Sequence, residues 1–83
     1  MSTSESVLDQ DLLLVTRMRD MVRGGLVEDV RVSAGLSQAE VAHAVGVTAA
    51  AVGHWEKGRS MPRGQAALRY ARLLLDLERT VQR

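Results

Sequence analysis

The sequence has no cysteine and no phenylalanine, and only one tryptophan, one tyrosine and one proline. Without cysteine, disulfide staples, thiolate nucleophiles and cysteine-ligated zinc are all excluded. His43 and His54 stand too far apart to make a metal-ligand spacing by themselves, so neither a metal nor another cofactor is expected. The scarcity of aromatic residues disfavours a β-sandwich or barrel. It also removes the stacking platform that single-stranded nucleic acid requires. No apolar run approaches the ~20 residues that span a bilayer; Leu12 to Val15, among the longest, has four. The opening Met-Ser-Thr-Ser-Glu-Ser is polar and acidic, so we expect no secretory signal and a cytoplasmic location. No Ser/His/Asp arrangement is legible. Gly24-Gly25 is followed by no Gly-Lys-Ser, so it is not a nucleotide loop. An enzyme is not expected.

What is present is a small chain with an uneven distribution of charge. Eighty-three residues make one domain. The net charge of +1 divides into a net of −3 over residues 1–29 and +4 over residues 30–83. A basic C-terminal two-thirds on a near-neutral chain points to one face made for an anion, with nucleic acid the usual partner.

Strand signals are missing, whereas helical periodicity recurs in five segments. The first spans about Val7 to Arg23, with Leu8, Leu12, Val15 and Val22 in a stripe flanked by Leu14, Met18 and Met21. The second runs from Leu26 to Ala34 and stops at Gly35, a residue type suited to follow a helix end. Ser37, with Glu40 three residues on, reads as a capping box that opens the third. Val41, Ala42 and Val45 face inward, and Gly46 ends the helix. Thr48 caps a fourth helix to about Glu56, and Lys57 to Gly64 forms a basic loop stiffened by Pro62. The last runs from Gln65 to Val81, with Ala67, Tyr70, Ala71 and Leu74 on its inner stripe. The fold class expected is all-α, with residues 1–25 as an N-terminal extension and residues 26–83 as the main domain.

Two short capped helices joined at a glycine turn, over about residues 38–57, form a helix-turn-helix. At about 100° per residue, Val52 and Trp55 of its second helix fall on one side. Ala49, Ala50, Gly53, His54 and Lys57 fall on the opposite arc, which contains no large apolar residue. Such a surface is slim enough to enter a major groove about 12 Å wide.

Residues 26–75 resemble the phage-repressor and Cro-like helix-turn-helix domain of the XRE family. The resemblance rests on Val30-Arg31, Gly35-Leu36-Ser37-Gln38, Val41-Ala42, Gly46-Val47, Val52, Trp55-Glu56, Gly58 and Pro62. It implies a compact five-helix, lambda-repressor-like fold with one extra N-terminal helix, and a partly buried salt bridge between Arg31 and Glu56. It further implies base-facing roles for Thr48, Ala49, Ala50, Gly53 and His54. By the same resemblance Ser37, Gln38, Lys57, Arg59 and Arg63 would hold the DNA backbone.

Direct readout usually places Gln, Asn, Arg or Ser where this chain has Ala49 and Ala50, and alanine offers only a methyl group. The expected function is a double-stranded-DNA-binding transcriptional regulator, a dimeric repressor on a pseudo-palindromic operator. Leu8, Leu12, Val15, Leu73 and Leu77 are the candidates for a homodimer interface or for packing within one chain. A second reading keeps the fold but makes the alanine-rich helix a protein-docking surface, the chain being an interaction adaptor or a recombination accessory module; a third is the antitoxin of a toxin–antitoxin pair.

Overall fold

The computed structural model describes the backbone of residues 3–81 and the side chains of residues 9–80. Five helices follow one another: α1 (Thr3–Arg23), α2 (Val27–Ser33), α3 (Gln38–Val45), α4 (Ala49–Glu56) and α5 (Gly64–Val81). No strand occurs among the described residues. The chain is therefore all-α, as its periodicity predicts. α1 starts four residues before the first apolar residue of its pattern, because a polar first turn carries no periodicity by which to place its start.

Every helix contributes to a single apolar core. α1 supplies Met18, Met21 and Val22, α2 supplies Val27, and α3 supplies Val41, Ala42 and Val45. Val52 and Trp55 come from α4, and Ala67, Tyr70, Ala71 and Leu74 from α5. The Trp55 and Tyr70 rings lie 4.7 Å apart between centroids, tilted at 48°, and join the end of α4 to the middle of α5. This places the only two aromatic residues of the chain in contact, where their area closes the core beneath α4.

α5 packs against α1, α2 and α3. Arg17 meets Glu78 at 2.8 Å and Arg72 meets Asp11 at 3.4 Å. Both pairs join residues 61 apart, the register of two helices running in the same direction. Residues 1–25 thus reach the same core as residues 26–83 through the C-terminal half of α1.

The inner face of α1 differs from the stripe that its sequence suggests. Its buried and half-buried apolar positions are Leu14, Val15, Met18, Met21 and Val22. Leu12, expected in that stripe, is 66% exposed, and its neighbour Leu13 is 69% exposed. A run of three leucines satisfies more than one helical stripe, and contact with α5 selects the one through Leu14. Val15 and Leu73 pack against the core and Leu77 is half-buried, while the Leu8 side chain lies outside the described residues.

Met18 has no exposed surface. Met18→Ala is expected to cost about 2–5 kcal/mol in chemical denaturation, as for other buried large-to-small changes. A change within about 0.5 kcal/mol, the range of an ordinary surface substitution, would remove α1 from the cooperative core.

Candidate nucleic-acid interface

The α3–α4 unit is set by local chemistry at each end. The Ser37 hydroxyl accepts the Glu40 N–H at 3.0 Å, and the Glu40 carboxylate accepts the Ser37 N–H at 2.9 Å, so the capping box is complete. α3 ends on Gly46 at φ 86°, a left-handed conformation in which a β-carbon would be strained. Only Val47 separates that glycine from Thr48, whose hydroxyl accepts the Ala51 N–H at 3.1 Å to open α4.

α4 closes with two bonds: Gly58 N–H to the Trp55 carbonyl at 3.1 Å, and Arg59 N–H to the His54 carbonyl at 2.9 Å. This pair is the Schellman pattern. It fixes how the chain leaves α4, and with it where Lys57, Arg59 and Arg63 stand.

A buried ionic hub locks the unit to the rest of the fold. The Glu56 side chain, 3% exposed, accepts from Arg31 Nε at 2.5 Å and Nη2 at 3.0 Å. Arg31 Nη1 donates to the Leu36 carbonyl at 2.9 Å, and Gln38 Nε2 donates to Glu56 Oε1 at 3.0 Å. One carboxylate thereby joins α2, the α2–α3 link, the first residue of α3 and the last residue of α4.

Burial alone would raise the Glu56 carboxyl. The hydrogen bonds from Arg31 and Gln38 and the Arg31 charge outweigh it and hold the group below the ordinary glutamate range. The Glu56 hydrogen bond raises Arg31 in turn. Burial pushes the Tyr70 hydroxyl well above its usual range, so it stays neutral beside this pair.

The exposed surface is narrower than the helical angles suggest. Thr48, Ala50, His54 and Lys57 are exposed on or beside α4, with Ser37 at the start of α3 and Arg59 and Arg63 in the following loop. Ala49 is half-buried against the core. Gly53 is half-buried as well: a β-carbon there would stand 3.4 Å from the Gln38 amide, so this position lies at the α3–α4 crossing. Gln38, read from the resemblance as a phosphate ligand, has its amide engaged with Glu56.

Sequence reasoning missed that bond, since nothing in the order of residues brings positions 38 and 56 together. Ala50, His54 and Lys57, at steps of four and three, form one outward stripe. It is small at one end, polar in the middle and cationic at the other. His43 is exposed on α3.

A protein-family model described as helix-turn-helix matches residues 27–74, from the first residue of α2 into α5. Comparison with curated proteins and with solved structures yields no match.

The hub has a pH signature. The folded Glu56 carboxylate keeps its charge to lower pH than it does in the unfolded chain. Its stabilisation is full above the unfolded glutamate value, about 4.3, and is lost as pH falls through the lower folded value. Glu56→Gln is expected to cost about 3 kcal/mol at neutral pH, the lower end for removing one partner of a buried pair. It should also flatten the acid limb of stability against pH. Denaturation curves across the acid range check this, and identical acid limbs for the two proteins would refute it.

Proposed function

The chain belongs to the XRE-type helix-turn-helix family of DNA-binding transcription regulators, and from that membership we propose that it is a dimeric repressor of a pseudo-palindromic operator. The observation that carries the reading is the exposed stripe of α4, continuous with Lys57, Arg59 and Arg63. A helix whose outward side chains are alanine, histidine and threonine can sit deep in a major groove. On this reading the three exposed cations after it meet the phosphates that border that groove.

On this reading Thr48, Ala50 and His54 approach base edges. Ala49 and Gly53, recessed between them and the core, allow close approach. Ser37 and the N-terminal backbone of α3 take part in holding the DNA backbone.

One eight-residue helix covers only part of an operator. A second copy supplies the other half-site one helical turn away, about 34 Å. The exposed Leu12 and Leu13 on α1 are the surface we assign to that second copy, since α1 leaves them uncovered within one chain.

Two experiments test this. Selection of bound duplexes from a random pool should enrich a symmetric site with half-sites about one turn apart. Replacing Lys57, Arg59 and Arg63 together by alanine should flatten the salt dependence of binding by about one unit for each lost phosphate contact. Enrichment of no site, with an unchanged slope in the triple variant, would overturn the reading and turn attention to a protein partner. Separately, Leu12→Glu with Leu13→Glu should sediment as a monomer with unchanged helicity, where the parent protein sediments as a dimer. Persistence of the dimer would place its interface elsewhere.

A further inference from the structure

The described residues include ten of the eleven lysines and arginines. Five of the ten have a carboxylate within 4.0 Å: Arg17, Arg23, Arg31, Arg72 and Arg79. No such partner among the described residues meets Arg19, Lys57, Arg59, Arg63 or Arg69. Three of these five form the loop after α4, and Arg19 lies on α1. Arg69 is the remaining one, and nothing in the sequence pattern singles it out.

Arg69 stands on α5, but its guanidinium lies against the α3–α4 turn. A β-carbon on Gly46 would be 3.2 Å from Arg69 Nη1. Its one hydrogen bond to a side chain goes to Gln65 Oε1 at 3.5 Å, the outer limit for such a bond. The side chain is exposed. Further along α5, Arg72 and Arg79 are each neutralised by an aspartate, at 3.4 and 2.8 Å. The carboxylates thus pair with the cations that face α1 or the far end of α5, and they leave unpaired the one beside the turn.

We propose that Arg69 binds a DNA phosphate at the entry end of α4, across that helix from Lys57, Arg59 and Arg63. The turn it covers comes immediately before α4, and the three loop cations come at or after its end. An eight-residue helix is about 12 Å long, close to the width of a major groove. Free cations at both ends of such a helix can meet the phosphates of both strands that border the groove, which fixes its depth and tilt. Gly46 is set by its left-handed φ of 86°, and a β-carbon there would crowd the guanidinium at 3.2 Å.

The assignment rests on the DNA-binding reading above, and the test separates the two. Affinity for a short mixed-sequence duplex is measured against salt concentration for the full chain, Arg69→Gln, Arg69→Lys and Arg72→Gln. Arg69→Gln should make the slope less steep by about one unit, so that it loses about 3.5-fold less affinity than the parent between 50 and 200 mM salt. Arg69→Lys should keep the slope. Arg72→Gln, the same change of charge on the same helix, should keep it too. Thermal unfolding of Arg69→Gln should match the parent, because the residue holds no strong contact within the fold.

A parental slope in Arg69→Gln would overturn the assignment. An equal flattening in Arg72→Gln would also overturn it, since the effect would then be that of net charge. Absence of salt-dependent duplex binding in the parent chain would refute the DNA-binding reading itself, and the assignment with it.

Discussion

The carboxylate of Glu56 is the constraint on which the rest of this structure depends. It is the last residue of α4, where the aligned peptide dipoles present their negative end and an acid is poorly placed. It is also almost completely removed from water. A buried carboxylate in that position is tolerated only when its lone pairs are filled by charged or strongly polar donors. Arg31 and Gln38 fill them, and each donor comes from a different part of the chain. Satisfying one acid therefore fixes the distance between α2 and α4 and the crossing of α3 with α4. The site is built around that crossing.

The consequence for the surface is subtractive. Gln38 turns its amide inward, and Gly53 leaves room for it, so one position that the resemblance assigns to the DNA backbone and one that helical angles put on the outer face belong to the crossing instead. What remains outward on α4 is a short line of Ala50, His54 and Lys57, preceded by Thr48. The Schellman ending then turns the chain so that the remaining cations of this region follow directly from that line. Ion pairing acts in the same direction, with the carboxylates of α1 and α5 neutralising arginines away from the motif. A chain of net charge +1 thereby keeps free cations around one short helix.

Legibility in the sequence tracks how local each cause is. Ser37 with Glu40, Thr48, and the glycines at 46 and 58 act within a few residues of themselves, and they locate the helix ends almost to the residue. The core positions of α3, α4 and α5 are equally legible: Val41, Ala42, Val45, Val52, Trp55, Ala67, Tyr70, Ala71 and Leu74, which helical period turns inward, are the buried ones. α1 is different. Leu12, Leu13 and Leu14 satisfy several stripes at once, and only contact with α5 decides between them. The roles of Gln38 and Arg69 were not legible for a related reason: each depends on a residue 18 or more positions away, and nothing in composition or period encodes that distance. The Arg31–Glu56 pair shares this distance, and only resemblance to a known domain made it visible in the sequence.

The outward residues of α4 also constrain how DNA can be discriminated on the proposed reading. Bidentate hydrogen bonds to base edges come from side chains such as Gln, Asn and Arg. Of the exposed side chains on α4 and immediately beside its two ends, only Thr48, His54 and Lys57 can hydrogen-bond. Few bonds to bases means that position and shape must carry more of the discrimination. Alanine and glycine help here, since a slim helix seats deeply and makes the fit sensitive to groove width. Discrimination by shape requires that the helix be held at one depth and tilt, because a helix free to rock would average over sequences. The hub at Glu56 supplies that rigidity from within the protein, and cations at both ends of α4 would supply it from the DNA side. Small readout residues and a heavily fixed recognition helix are therefore two parts of one solution, and each would be of little use without the other.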